Sequence, residues 1–269
     1  MKFGLSRRAL VLTGGALLAT VTLTASASAD TLEKIKDTKY VLLGSYNEPP
    51  HNWIEPAGGG YKGIDYEIAE AILKGLGVTE INQIPVDWSG LIPGLQAGRW
   101  DMLAVGMSIT EERAKQVNFT KPIYGYGSAL IVAKGNPKSI KGVGQFPGNK
   151  IGAILGGTDA DLIKSIAGAE LVAYKTHPEM LTDLKVGRID AALAGETTAA
   201  YANVLQPEPE IELMHEWDGK SARPTGFAFR KDDEALLAHF NATLDQMKAD
   251  GSLAAILKKY GLSAGNIVQ

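Results

Sequence analysis

LQAGRWDMLAVG, Leu95 to Gly106, and LKVGRIDAALAG, Leu184 to Gly195, carry one pattern twice. Each copy reads as a helix end, a Gly-Arg turn, an Asp, four apolar residues and a closing Gly, then a polar loop (MSIT after the first, ETT after the second). The turn glycines, Gly98 and Gly187, lie 89 residues apart. One helix–Gly–strand unit is ordinary in any α/β protein. Two in register predict two similar α/β units built by duplication. Ligands of open α/β sheets bind beyond the carboxyl ends of the strands. Both polar loops are therefore expected to face a shared cleft.

Around this repeat, short apolar runs alternate with amphipathic ones, which is the α/β grammar. Tyr40 to Tyr46 reads as a strand followed by the turn-forming NEPPHNW. Asp65 to Leu76 reads as a helix with Ile68, Ile72 and Leu76 on one face, stopped by Gly77. Ser89 is expected to cap a helix running to Ala97, Met102 to Met107 to form a buried strand, and Thr110 to open a helix carrying Arg113. IGAILGG followed by TDADLIKSIAG repeats strand, turn and helix. Helices are expected from about Asp232 to Lys248 and from Ser252 to Tyr260.

Composition narrows the function. Lys2, Arg7 and Arg8 precede an apolar stretch from Ala9 to about Leu23, and ASASAD follows, so residues 1–29 read as an export signal cleaved after Ala29. SRRAL at Ser6 to Leu10 leaves both the general secretory and the twin-arginine routes open. Removing residues 1–29 leaves 24 basic against 30 acidic residues, without the basic stripe a nucleic-acid partner needs. No later run approaches the roughly 18 apolar residues of a membrane helix, so no membrane insertion is expected. With no cysteine in the chain, neither disulfides nor a lipid-anchored cleavage site is available. Stability must come from core burial. The expected location is the space between two bacterial membranes, the periplasm.

The motifs NEPPH, KGIDYEIAEAI, GLIPGLQAGRWD, GMSITEERAKQVNFTKPI, GGT, VGRIDAALAG and LKKYGL, in this order, give a chain that resembles the family-3 bacterial extracellular solute-binding proteins over nearly all its exported length. The resemblance implies a two-lobed periplasmic-binding-protein fold (Venus-flytrap, type II) with two hinge strands, GSALIVAK and PTGFAFRK. Residues 30–132 plus 224–269 would form lobe 1, and 133–223 lobe 2. It further implies the substrate-binding component of an ABC importer: a monomer, without cofactor or metal, that passes a small zwitterion to a membrane permease.

Within that resemblance the site residues fall on particular positions. Arg113 carries a planar guanidinium fork that matches a carboxylate, and the family uses the Arg at this place for the ligand's carboxylate. By itself it reads equally as a surface Arg paired with a neighbouring Glu. Thr158 in LGGT lies where free N–H groups at a helix start favour an anion, or where a Thr simply caps a helix. Gly106 and Ser108 match family positions that touch the ligand. Trp88 precedes the GLIPGL helix, where an aromatic face packs on the ligand. His51 stands where Phe is more common and, with Trp53, follows the Pro-Pro turn; the alternative is a loop histidine with no role. The family's acidic residue for the ligand's ammonium falls on Gly195, so the counter-charge is expected from Glu196 or Glu48. Glu48 in NEPP resembles the branch that binds ectoine-like compatible solutes. The solute class therefore stays open among amino acids, their derivatives and compatible solutes.

Other classes fare less well. The four histidines have no metal-motif spacing, and no P-loop motif occurs; the GxGxxG string GGGYKG, Gly58 to Gly63, follows a loop and not a strand, and the GxSxG string GLSAG, Gly261 to Gly265, lies past the last helix and not at a strand-to-helix turn. A cyclohexadienyl-type dehydratase on the same fold is the enzymatic alternative, with Arg113 holding a carboxylate and a nearby Glu as general acid. A sensor domain would have to signal by docking onto a separate protein.

Overall fold

The computed structural model describes Met1 and residues 31–55, 58–205, 209–214, 217–219 and 222–268. The export signal expected over residues 1–29 lies, Met1 apart, outside the described residues.

Two five-stranded sheets form, and their orders correspond strand for strand. The first runs Glu80–Pro85, Tyr40–Ser45, Met102–Leu103, Ala228–Phe229, Asn118–Phe119. The second runs Glu170–Tyr174, Lys150–Ile154, Ala191–Gly195, Ser128–Ala133, Ile211–Met214. In each, the first three strands are parallel and the fourth and fifth join antiparallel. The strand of each repeat copy sits in the middle, with registers Leu43↔Met102 and Ala191↔Ile151. Parallel central strands need apolar cover on both faces, and each sheet has two apolar clusters to supply it.

The helix Ile64–Gly75 buries Ile64, Ile68, Ala69, Ile72 and Leu73, a stripe at helical spacing, on the first sheet. The helix Glu234–Asp250 adds Leu236, Phe240, Leu244 and Met247 to the same cluster, with Phe240 edge-on to Phe227 and Phe229. Leu91, Leu95 and Trp100 close the opposite face. The C-terminal segment thus returns to complete the sheet begun at Tyr40.

Two expected elements differ. The strand expected over Met102 to Met107 ends at Leu103, because the chain leaves the ladder as Asn52 takes the Ala104 carbonyl through its Nδ2 at 2.8 Å. Ser89 caps no helix: a 3-10 turn, Trp88–Gly90, leads directly into the helix Leu91–Gln96. By contrast, Thr110 accepts a hydrogen bond from the Arg113 N–H and caps Glu111–Gln116 as expected.

The two sheets are joined where Gly125–Tyr126 pairs antiparallel with Arg223–Pro224, just before GSALIVAK and at the start of PTGFAFRK. Antiparallel crossing strands let two units rotate about one short ribbon.

Candidate functional site

Every parallel strand of both sheets delivers residues from its carboxyl end to one cleft between the sheets. From the first sheet come Glu48, after Tyr40–Ser45; Trp88, after Glu80–Pro85; and Gly106, Ser108 and Arg113, after Met102–Leu103. From the second come Thr158 and Asp159, after Lys150–Ile154; His177, after Glu170–Tyr174; and Gly195 and Thr198, at and after Ala191–Gly195. They enclose a cavity of about 70 Å³, room for a handful of water-sized groups.

Arg113 dominates the electrostatics. It is only 9% exposed, and its Nη1 donates to the Ser108 carbonyl at 2.9 Å while Nη2 crosses the cleft to the Gly156 carbonyl at 3.0 Å. Among the described residues no carboxylate forms an ion pair with it, and burial pulls its pKa below the ordinary guanidinium value. A buried cation without a counter-ion is costly, so the arrangement favours an anion. Trp88 covers this group: Arg113 Cζ lies 5.5 Å from the indole centroid, and the indole N–H donates to the Gly156 carbonyl at 3.2 Å. The face of Trp88 is thus already stacked on a protein cation.

Thr158 is the first residue of the helix Thr158–Ser165, and Gly157 holds the cap position, so the hydroxyl is not a cap. It accepts instead from Arg223 Nη1 at 2.8 Å. Arg223 also reaches Asp159 Oδ1 at 3.1 Å, and Asp159 accepts a short hydrogen bond from the Ser128 hydroxyl. This second arginine is therefore neutralised by a neighbour, as Arg113 is not. Across the cleft Glu48 Oε1 lies 2.6 Å from His177 Nδ1. The contact is an ion pair lying off the hydrogen-bond axis, so that buried oxygen keeps an unsatisfied acceptor. Burial draws the His177 imidazole down, but the Glu48 charge outweighs it and holds the ring above its ordinary value.

Of the residues singled out in the sequence, Arg113, Thr158, Ser108, Gly106, Trp88 and Glu48 come together on the cavity wall. His51 and Glu196 are not among the lining residues. His51 is 3% exposed and lies behind Gly106, with Nδ1 2.8 Å from the Tyr124 hydroxyl and 3.1 Å from Asp65 Oδ2, and Nε2 2.9 Å from Thr197 Oγ1 in the opposite unit. It links the floors of the two units. Trp53 packs against Tyr201 and Tyr260. Glu196 opens the helix Glu196–Leu205, its N–H bonded to the Gly127 carbonyl.

Sequence reasoning passed over Asp159, His177, Arg223, Tyr46 and Tyr126, all on the wall. Asp159 directly follows the GGT loop and had a readable signal; the others gain meaning only from partners distant in the chain. The Tyr126 hydroxyl, for one, donates to the Gly106 carbonyl at 2.9 Å, and burial pushes its phenol well up.

With this geometry in view, comparison with known proteins gives consistent results. The profile of the bacterial extracellular solute-binding proteins, family 3, matches residues 41–263. A probable amino-acid ABC transporter periplasmic-binding protein, y4tE of Sinorhizobium fredii, is 30% identical over 246 residues, covering 87% of this chain and 81% of the relative. The L-cystine-binding protein TcyJ of Escherichia coli is 30% identical over 246 residues, 91% of each chain. Among solved structures, EhuB in complex with hydroxyectoine aligns with a TM-score of 0.82 at 30% identity, covering 87% of this chain and 93% of that one.

Proposed function

The chain belongs to the bacterial extracellular solute-binding proteins of family 3, with the two-lobed fold and substrate-binding role of that family, and from that premise we propose that its solute is a small zwitterion gripped by lobe closure. We take the lobes as residues 30–127 with 224–269, and 128–223, because Ser128–Ala133, counted in lobe 1 up to residue 132 from the sequence, pairs within the second sheet. The observation that carries the reading is Arg113: a buried guanidinium whose side-chain acceptors among the described residues are two carbonyls. A ligand carboxylate would replace the Gly156 carbonyl on that fork, with the Thr158 hydroxyl and the N–H groups at the start of its helix reaching the same carboxylate from lobe 2. The cationic end would meet Glu48, whose Oε1 lacks an aligned donor, while Trp88 and Tyr46 wall the body of the ligand. Gly195, packed against Tyr126, stands where another family member would carry an acid.

Closure matters because the importer's membrane permease must tell loaded from empty receptor. Residues from both lobes on one ligand give closure its differential free energy. The chain would reach the periplasm by cleavage after Ala29, by the general or the twin-arginine route, and would act as a binding protein rather than an enzyme. The position of Glu48 and the likeness to EhuB favour a compatible solute of the ectoine type as the second candidate beside amino acids.

A thermal-shift screen of residues 30–269 against amino acids, opines, betaines and ectoines tests this directly. A ligand at 100 times its Kd adds about 2.7 kcal/mol of stability, and the stabilising class names the solute. No stabilisation by any zwitterion, in folded protein freed of carried-over ligand, would remove this reading.

A further inference from the structure

Beside the cavity lies a second hollow, of about 640 Å³. It sits between the helices His177–Lys185 and Glu196–Leu205 on the outer part of the second sheet. Most of its wall is apolar: Leu181, Ala199, Ile211 and Leu213 from the second lobe, with Pro49 from the first. Tyr46, Asn47, Glu48 and Pro49 are its only described lining residues from the first lobe, so it is enclosed only while the lobes meet, as the ligand cavity is.

The hollow and the cavity share four residues: Tyr46, Glu48, His177 and Thr198. The two spaces adjoin, with the Glu48–His177 ion pair between them. That pair is off the hydrogen-bond axis, and the buried Glu48 Oε1 has no aligned donor. An unsatisfied buried acceptor favours an incoming N–H. A cationic nitrogen held by Glu48 would stand at the threshold, and any substituent on it would point into the apolar hollow.

We propose that the hollow is a subsite for an apolar arm carried on the ligand's cationic nitrogen, so that the protein takes N-substituted amino acids as well as, or in preference to, unsubstituted ones. The inference rests on the zwitterion reading above and adds to it the place and chemistry of the substituent. It also gives a reason for the disparity in size, since a cavity of about 70 Å³ is small for anything but a ligand's charged head.

Calorimetric titration of residues 30–269 with N-methyl-, N-butyl- and N-hexylglycine tests it, with 2-aminohexanoic and 2-aminooctanoic acids as isomers carrying the chain on carbon. Affinity is expected to rise about three- to fourfold for each methylene added to the nitrogen, with no such rise in the carbon-substituted series. Ala199→Phe fills the hollow and is expected to reduce N-hexylglycine to the affinity of N-methylglycine, leaving N-methylglycine unchanged. Leu181→Lys, at a half-buried helix position that tolerates polarity, should show the same selective loss if the first variant folds poorly. Affinity that is flat or falling with arm length, or variants that weaken short and long ligands alike, overturns the subsite while leaving the zwitterion reading intact. Absence of binding by the whole series, N-methylglycine included, overturns both.

Discussion

The two copies of the repeated segment agree in detail from the helix end to the aspartate and part beyond it, the first leaving its sheet at Leu103 and the second staying paired to Gly195. In each, the turn glycine is left-handed, Gly98 at φ +68° and Gly187 at φ +73°. In each, the next Arg N–H closes on a carbonyl five residues back, Arg99 on Gly94 and Arg188 on Asp183, both at 2.9 Å. The Asp then clamps the neighbouring strand from both sides. The Asp101 N–H donates to Leu42 O and its carboxylate accepts the Leu42 N–H at 3.0 Å; Asp190 does the same to Lys150, at 2.8 Å. Even the lysine partners correspond, Lys34 at 2.6 Å and Lys138 at 3.3 Å. The closing glycines differ as well. Gly106 turns left-handed, at φ +65°, with the His51 ring filling the space where a Cβ would stand, and sends the chain into the loop of Ser108 and then the helix of Arg113. Gly195 stays out of the left-handed region and passes straight into a helix. The duplicated part builds scaffold; the proposed ligand contacts sit in the parts that were not kept alike.

The largest test of this contrast removes the divergent loop's charge. Arg113→Ala is expected to weaken ligand binding by about 2–5 kcal/mol, read by calorimetry with the stabilising solute. Because the guanidinium is buried without a counter-ion, the unfolding midpoint of the ligand-free variant should hold or rise. A variant that loses stability and keeps affinity would make Arg113 scaffold.

Next come the two terminal glycines. Gly106→Ala puts a side chain into a left-handed position 2.5 Å from His51 Nδ1, and a loss of about 1–3 kcal/mol is expected in urea unfolding. Gly195→Ala meets the Tyr126 ring edge at 3.0 Å and Thr198 Oγ1 at 3.7 Å, and should cost under about 1 kcal/mol. Equal losses would break the contrast. The two aspartates run the other way: Asp101→Asn and Asp190→Asn should each cost roughly 1.5 kcal/mol. A loss confined to one would show that the copies share sequence without sharing work.

The smallest effect concerns pH. His177 has its proton affinity raised in the folded protein by Glu48. A raised value means the folded state holds the proton more tightly, so the pair's contribution is complete below the ordinary histidine value of 6.5 and is lost as pH climbs through the raised one. The difference in thermal midpoint between the parent and His177→Gln should therefore be widest below pH 6.5 and shrink towards alkaline pH. A difference independent of pH would exclude the ion pair as its source.

Much of the scaffold was legible because it is local. A Gly after a helix, a Thr three residues before an Arg N–H and apolar residues at helical spacing act within a few residues of one another. The misread strand and cap show the limit of such reading. Met102–Met107 is apolar enough to be a strand, but Asn52, 52 residues earlier in the chain, draws off the Ala104 carbonyl, and no local pattern reports that.

What the sequence determined by itself was the internal repeat, the α/β class and the family, together with Arg113, Thr158, Trp88 and Glu48 as candidates in loops and at helix starts. Those properties follow from periodicity and from motifs contained in short spans. Only the tertiary structure decided which candidates share a wall. His51 reaches Thr197 across a separation of 146 residues and so became a link beneath the floor, while His177 and Asp159 became parts of the cavity. Burial, and with it the value of each charge, is set by groups that meet only when two distant halves of the chain close on each other.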